Sequence, residues 1–135
     1  MLNTMKLGLF ALPSAWAIGA ILTPENYTQV IQNGTWFIFF RSSRCGHCIQ
    51  FLPVWKELSA EYEKGAHSAV SFGSVDCYFY RNLCSNINHT PTLNLYRDGE
   101  YVEEYNRSGV ESVQSMVDFL VTKTNPSTTA EVAAQ

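Results

Sequence analysis

Within positions 35–41, Thr-Trp-Phe-Ile-Phe-Phe-Arg, residues 36–40 are apolar one after another, so this segment is built for burial on both faces. That pattern predicts a central strand in a sheet covered on two sides. Further on the period lengthens. Leu52, Trp55, Leu58 and Tyr62 recur at intervals of three, three and four, which places them on one face of a helix over 49–64. Pro53 sits inside that helix and is expected to kink it, and Gly65 ends it. Positions 69–77 return to a period of two, with Val70 and Phe72 on one face and Val75 and Cys77 on the other, a strand.

A short helical turn is expected around 80–85. Pro91 then opens a strand over 92–97, and Asp98-Gly99 is a hairpin turn leading to a returning strand over 101–105. Tyr96, Tyr101 and Tyr105 have strand spacing and read as sheet packing. Val110, Val113, Val117 and Leu120 define a last amphipathic helix. Near the start, Thr23 is placed to cap a helix whose first residue is Pro24 and which runs to about Gln32, before an Asn33-Gly34 turn. With a weak first strand, the order is β, α, β, α, β, α, β, β, α. Strands separated by helices imply parallel pairing, and the hairpin adds an antiparallel edge, an α/β fold with a mixed sheet.

The first twenty residues change the compartment. Lys6 precedes a short apolar stretch, Leu7 to Leu12, broken by Pro13 and Ser14, and Ala15-Trp16-Ala17 and Ile18-Gly19-Ala20 offer small residues for cleavage. This is the pattern of a secretory leader, too short to span a bilayer. The expected organisation is a leader over 1–20, one domain over 21–123, and a Ser-, Thr- and Ala-rich disordered tail over 124–135. The mature chain is expected to have no stable membrane span. A length of 135 residues suits one domain. A net charge of −3 without a basic cluster argues against nucleic acid as a partner. Asn26, Asn33, Asn88 and Asn106 begin glycosylation sequons, of which Asn106, after a strand, is the best placed.

Export gives the four cysteines their meaning. Cys45-Gly46-His47-Cys48 follows the apolar strand and opens a helix, with Ser42 or Ser43 as the expected cap. At a helix N-terminus, unpaired N–H groups and the positive dipole end favour a thiolate, the species that attacks disulfides. Four cysteines allow three pairings, and the local one joins Cys45 to Cys48 and Cys77 to Cys84. A zinc site would need four ligands, and His67, His89, Cys77 and Cys84 lack ligand-pair spacing with Cys45 and Cys48, so no metal is expected.

These pieces in order resemble the thioredoxin superfamily, most closely the catalytic a-type domain of protein disulfide isomerases. The resemblance is carried by Cys45-Gly46-His47-Cys48, Phe51-Leu52-Pro53-Val54-Trp55, Val75-Asp76-Cys77 with Cys84, Thr90-Pro91-Thr92-Leu93, and Tyr96-Arg97-Asp98-Gly99. It implies a thioredoxin fold, a central mixed β-sheet with helices on both faces. It implies Cys45 as nucleophile and Cys48 as resolving thiol, with His47 and Gly46 between them and His47 stabilising the thiolate. Pro91 resembles the cis-proline that faces the active disulfide, leaving Thr90 to offer backbone bonds to a client segment. Cys77 and Cys84 match a structural disulfide.

The activity so implied is thiol–disulfide exchange, forming, reducing or rearranging disulfides in secretory-pathway proteins, in the endoplasmic reticulum lumen or outside the cell. Its partners would be clients with thiols or disulfides and an upstream thiol oxidase or glutathione, and no cofactor is implied. Quiescin-type sulfhydryl oxidases carry a similar domain but need a flavin domain for which this chain has no room. The C-terminus has no retention tetrapeptide, which leaves secretion, retention by a partner, or derivation from a longer chain open.

Three departures bear on the rate. The family's Ala-Pro-Trp before the first cysteine is Ser42-Ser43-Arg44 here; the loss of Trp removes an aromatic client surface, and Arg44 brings a cation beside Cys45 and is expected, with Thr90 and Pro91, to contact the client. A buried Glu and its Lys partner are replaced, by register, by Phe39 and Ser74. An Arg before the last helix is not matched, since Arg107 is shifted by two positions. The intact tetrapeptide favours an enzyme, and these losses favour the alternative, a redox-slow binding or chaperone module of the same fold.

Overall fold

The computed structural model describes residues 19–64, 69–106 and 112–124. Its elements are β1 (Ala20–Ile21), α1 (Tyr27–Ile31), β2 (Thr35–Arg41), α2 (Gly46–Lys64), β3 (Val70–Asp76), a 3₁₀ turn (Arg81–Cys84), β4 (Thr92–Arg97), β5 (Glu100–Glu104) and α3 (Val113–Thr124). The sheet order is β1-β3-β2-β4-β5, so β2 lies at the centre. The period of two in β2 divides the core. Phe37 and Phe39 pack with Trp55, Leu58, Tyr62, Phe72, Met116 and Leu120, beneath α2 and α3. Ile38 and Phe40 pack with Leu22, Ile31 and Val75 on the side of α1 and the 3₁₀ turn. Trp55 is the hub of the first cluster, with its ring 5.6 Å from Phe37, 5.3 Å from Phe39 and 5.6 Å from Phe72.

The helices therefore cover both faces, as expected, but two details differ. The antiparallel pairing is not confined to the edge hairpin: β1 and β2 are parallel to β3, whereas β4 is antiparallel to β2. The four-residue 3₁₀ turn is too short to carry the chain back along the sheet, so β4 enters from the opposite end. Thr23 is not the cap of α1. That helix is short, its cap is Asn26, and the Asn26 carboxamide instead accepts the Thr23 N–H at 2.7 Å.

The β4–β5 turn is as its residues require. Asp98 and Gly99 both have positive φ, +50° and +85°, the geometry of a type I′ hairpin. Gly34 N–H donates to Asp98 Oδ1 at 2.9 Å and Asp98 N–H to Gly34 O at 2.8 Å, tying this turn to the start of β2. β1 begins at Ala20, pairing with Gly73, one residue before the expected leader boundary. Most of the leader, Gly65, His67, Arg107, Val110 and the tail beyond Thr124 lie outside the described residues.

Candidate functional site

Cys45 occupies the cap position of α2. Its carbonyl accepts the Ile49 N–H at 3.2 Å, the first helical bond, and its sulfur accepts the Cys48 N–H at 3.2 Å. In most helices that side-chain bond comes from Ser, Thr, Asp or Asn. Here a cysteine sulfur makes it, so charge on sulfur and the orphan N–H groups of the helix stabilise one another. The expected caps play a different part. Ser42 forms the turn before the helix: its carbonyl accepts the Cys45 N–H at 3.0 Å and its hydroxyl the Arg44 N–H at 3.2 Å.

The two thiols sit in opposite environments. Cys45 is part-exposed, Cys48 is 2% exposed, and both are free thiols in this state. Desolvation pushes Cys45 up, but the hydrogen bonds from Cys48, the contact with Thr90 and the His47 backbone N–H together outweigh it and leave the thiol below its usual range. Burial and then the neighbouring Cys45 sulfur push the Cys48 thiol up. The pair is thus polarised into an accessible thiol that ionises readily and a shielded one that holds its proton.

The Thr90–Pro91 peptide bond is cis, and Pro91 is buried. The Thr90 carbonyl accepts the Cys45 thiol at 3.5 Å. The structure therefore brings Cys45, Cys48, Thr90 and Pro91 together, from two loops at the same end of the sheet. Gly46 and His47 form the exposed first turn of α2, and His47 acts on Cys45 through its backbone N–H. Cys77 and Cys84 are joined in a disulfide across seven residues.

Arg44, directly before Cys45, has its guanidinium 4.7 Å from the centre of the Tyr78 ring. His89 Nδ1 is 3.1 Å from Thr92 Oγ1, and its Nε2 is 3.6 Å from Glu104. Phe39 and Ser74 are register partners on β2 and β3, both buried.

Sequence reasoning overlooked Asp76, Tyr78 and Phe79. Asp76 Oδ1 accepts the Ser43 N–H at 3.3 Å and the Tyr78 N–H at 3.0 Å, joining the loop before Cys45 to the loop after β3. The available signal was an acid and an aromatic pair flanking Cys77. Among the described residues no group of three His, Cys, Asp or Glu side chains is arranged to hold a metal, and no helix is long and apolar enough to cross a membrane.

The scaffold sets two unlike cysteines at the start of a helix against a cis-proline loop. The thioredoxin family model matches residues 19–122, and the chain belongs to that family of thiol–disulfide oxidoreductases, with a domain of the protein disulfide isomerase type. It is 35% identical over 115 residues to the Schizosaccharomyces pombe protein described as "Uncharacterized protein C3D6.13c", covering 84% of this chain and 16% of that one. It is 25% identical over 117 residues to protein disulfide-isomerase 1 of Caenorhabditis elegans, covering 85% of this chain and 24% of that one. Among solved structures it resembles the first two thioredoxin domains of Saccharomyces cerevisiae Eps1p, with a TM-score of 0.70 and 27% identity over 76% of this chain and 39% of that one. The chain spans less than a quarter of the length of these two curated relatives.

Proposed function

We propose that this chain forms, reduces or rearranges disulfides in secretory-pathway proteins, with Cys45 as nucleophile and Cys48 as resolving thiol. The observation that carries the reading is the asymmetry of the pair: a part-exposed sulfur accepting a helix N–H at 3.2 Å, next to a thiol that is 2% exposed. The Cys45 thiolate attacks one sulfur of a client disulfide and the other leaves as a thiolate. Cys48 then gives up its proton and attacks the Cys45 sulfur, closing the Cys45–Cys48 bond and releasing the second client thiolate. Two electrons pass from the pair to the client; the reverse sequence oxidises a client dithiol. The Thr90 carbonyl beside Cys45 offers an acceptor to an extended client backbone.

On this reading the partners are client proteins, with a thiol oxidase or glutathione resetting the pair, in the endoplasmic reticulum lumen or outside the cell, and the leader over 1–20 supplies the export. The expected domain of 21–123 holds the whole site. The second reading, a redox-slow binding module, draws support from Phe39 and Ser74, which bury no acid–base pair between the central strands. Insulin reduction in the presence of a thiol reductant separates the two. The enzyme reading expects a rate well above that of the Cys45→Ser variant, and equal rates would remove it.

A further inference from the structure

The loop after β3 carries exposed aromatic surface where a soluble domain would ordinarily bury it. Phe79 is 68% exposed and Tyr78 38%, their rings 5.1 Å apart edge to face. The guanidinium of Arg44, the residue directly before Cys45, lies over the Tyr78 ring, 4.7 Å from its centre. Ile49, in the first turn of α2, is 59% exposed. Exposed apolar side chains on the two segments that flank a reactive group mark a contact surface.

This surface is held in shape. The Cys77–Cys84 disulfide closes the loop, the Tyr80 N–H donates to the Asp76 carbonyl at 2.9 Å, and Asp76 Oδ1 clamps the Tyr78 N–H at 3.0 Å and the Ser43 N–H at 3.3 Å. The same carboxylate therefore fixes both the loop that presents Arg44 and the loop that presents Tyr78. Surface that is already ordered loses little freedom on binding. Arg44 makes no ion pair among the described residues, so its guanidinium over the Tyr78 ring still has N–H groups to offer a carboxylate.

We infer that Arg44, Tyr78 and Phe79 form a client-docking plate beside Cys45, selecting polypeptide segments that carry an aromatic or large aliphatic side chain next to the reacting cysteine and an acidic side chain nearby. The inference rests on the exchange reaction proposed above and names the clients of that site. The plate occupies the role of the missing Trp from a different direction: the aromatic surface comes from the loop after β3 instead of the residue before the nucleophile. The Cys77–Cys84 bond then serves client choice as well as stability.

The test uses two fluorescent peptides in which Ser replaces the client cysteine, so that binding is read without chemistry. One has Phe and Asp beside that position and the other has Gly and Ser. By anisotropy, the wild-type chain is expected to bind the Phe/Asp peptide at least roughly tenfold more tightly than the Gly/Ser peptide, the effect of a single well-packed anchor. Phe79→Ser and Arg44→Gln each remove most of that difference, and Phe79→Leu keeps most of it. Equal affinities for the two peptides, or a preference untouched by Phe79→Ser, overturn the plate. In parallel, the rate at which the reduced chain reacts with glutathione disulfide is expected to change less than about twofold in Phe79→Ser, since so small a substrate does not reach the plate. A wild-type rate no higher than that of Cys45→Ser would instead count against the exchange reaction, leaving the peptide affinities to decide the plate on their own.

Discussion

The sulfur of Cys45 accepts the backbone N–H of Cys48 at 3.2 Å, so the proposed nucleophile is also the N-terminal cap of α2. The reactive state and the helix stabilise one another. Because Cys45 lies below its usual range, alkylation of Cys45 by iodoacetamide should reach half its maximal rate below the free-cysteine pKa of about 8.5. Cys48 should stay unmodified in the folded state. Mass mapping across a pH series reads both, and preferential alkylation of Cys48 would reverse the assignment.

The cap also predicts a stability pattern. A depressed thiol contributes stability above its unfolded pKa and loses it as pH falls through the folded value. At pH 9, reduced Cys45→Ala should lose about 0.5–2 kcal/mol, the usual effect of deleting a cap, whereas Cys45→Ser, which keeps an acceptor, should lose much less. The gap between the reduced wild type and Cys45→Ala should narrow as the pH falls. Urea unfolding of the three proteins measures it, and a gap that widens toward acid pH would contradict the cap.

Phe39 faces Ser74 across β2 and β3, so neither position offers a carboxylate to take the proton of the resolving thiol. Burial and Cys45 hold Cys48 in its protonated form. Closure of the Cys45–Cys48 bond from a mixed disulfide should therefore quicken with pH, by up to about tenfold per unit while Cys48 remains mainly protonated, because only the thiolate attacks. Stopped-flow measurement between pH 6 and 8 checks this. A flat profile would mean that another group carries the proton.

Cys77 and Cys84 close a short loop, with a sequence separation of seven. Replacing both with Ala should cost about 2–3 kcal/mol of stability, from the added freedom of the unfolded chain. A urea midpoint unchanged in the double variant would contradict a structural role.

Much of this was legible because the pattern and the packing agree. β4 was readable from its bounds, Pro91 before it and the Asp98-Gly99 turn after it, and the structure places it over Thr92–Arg97 as expected. β2 was readable because four consecutive buried residues, Phe37 to Phe40, leave no polar face. The cap of α2 was expected at Ser42 or Ser43 and is Cys45 instead, since a cysteine sulfur is not among the usual caps and the turn built by Ser42 resembles one. The direction of β4 depends on how far the segment after β3 travels, which residue type does not specify. The partner of Arg44 was not legible for a related reason: neighbours in sequence are visible, but the Tyr78 ring beside its guanidinium is distant in sequence, and Asp76 joins the two loops.

The central claim is that Cys45 attacks and Cys48 resolves, and trapping tests it most directly. Cys48→Ala removes the second step, so incubation with a disulfide-bonded client should accumulate a mixed disulfide on Cys45, visible by mass spectrometry and reversed by reductant. Cys45→Ala should accumulate almost none, because the remaining thiol is 2% exposed and held protonated. Equal trapping by both variants, or an adduct found on Cys48 alone, would contradict the account.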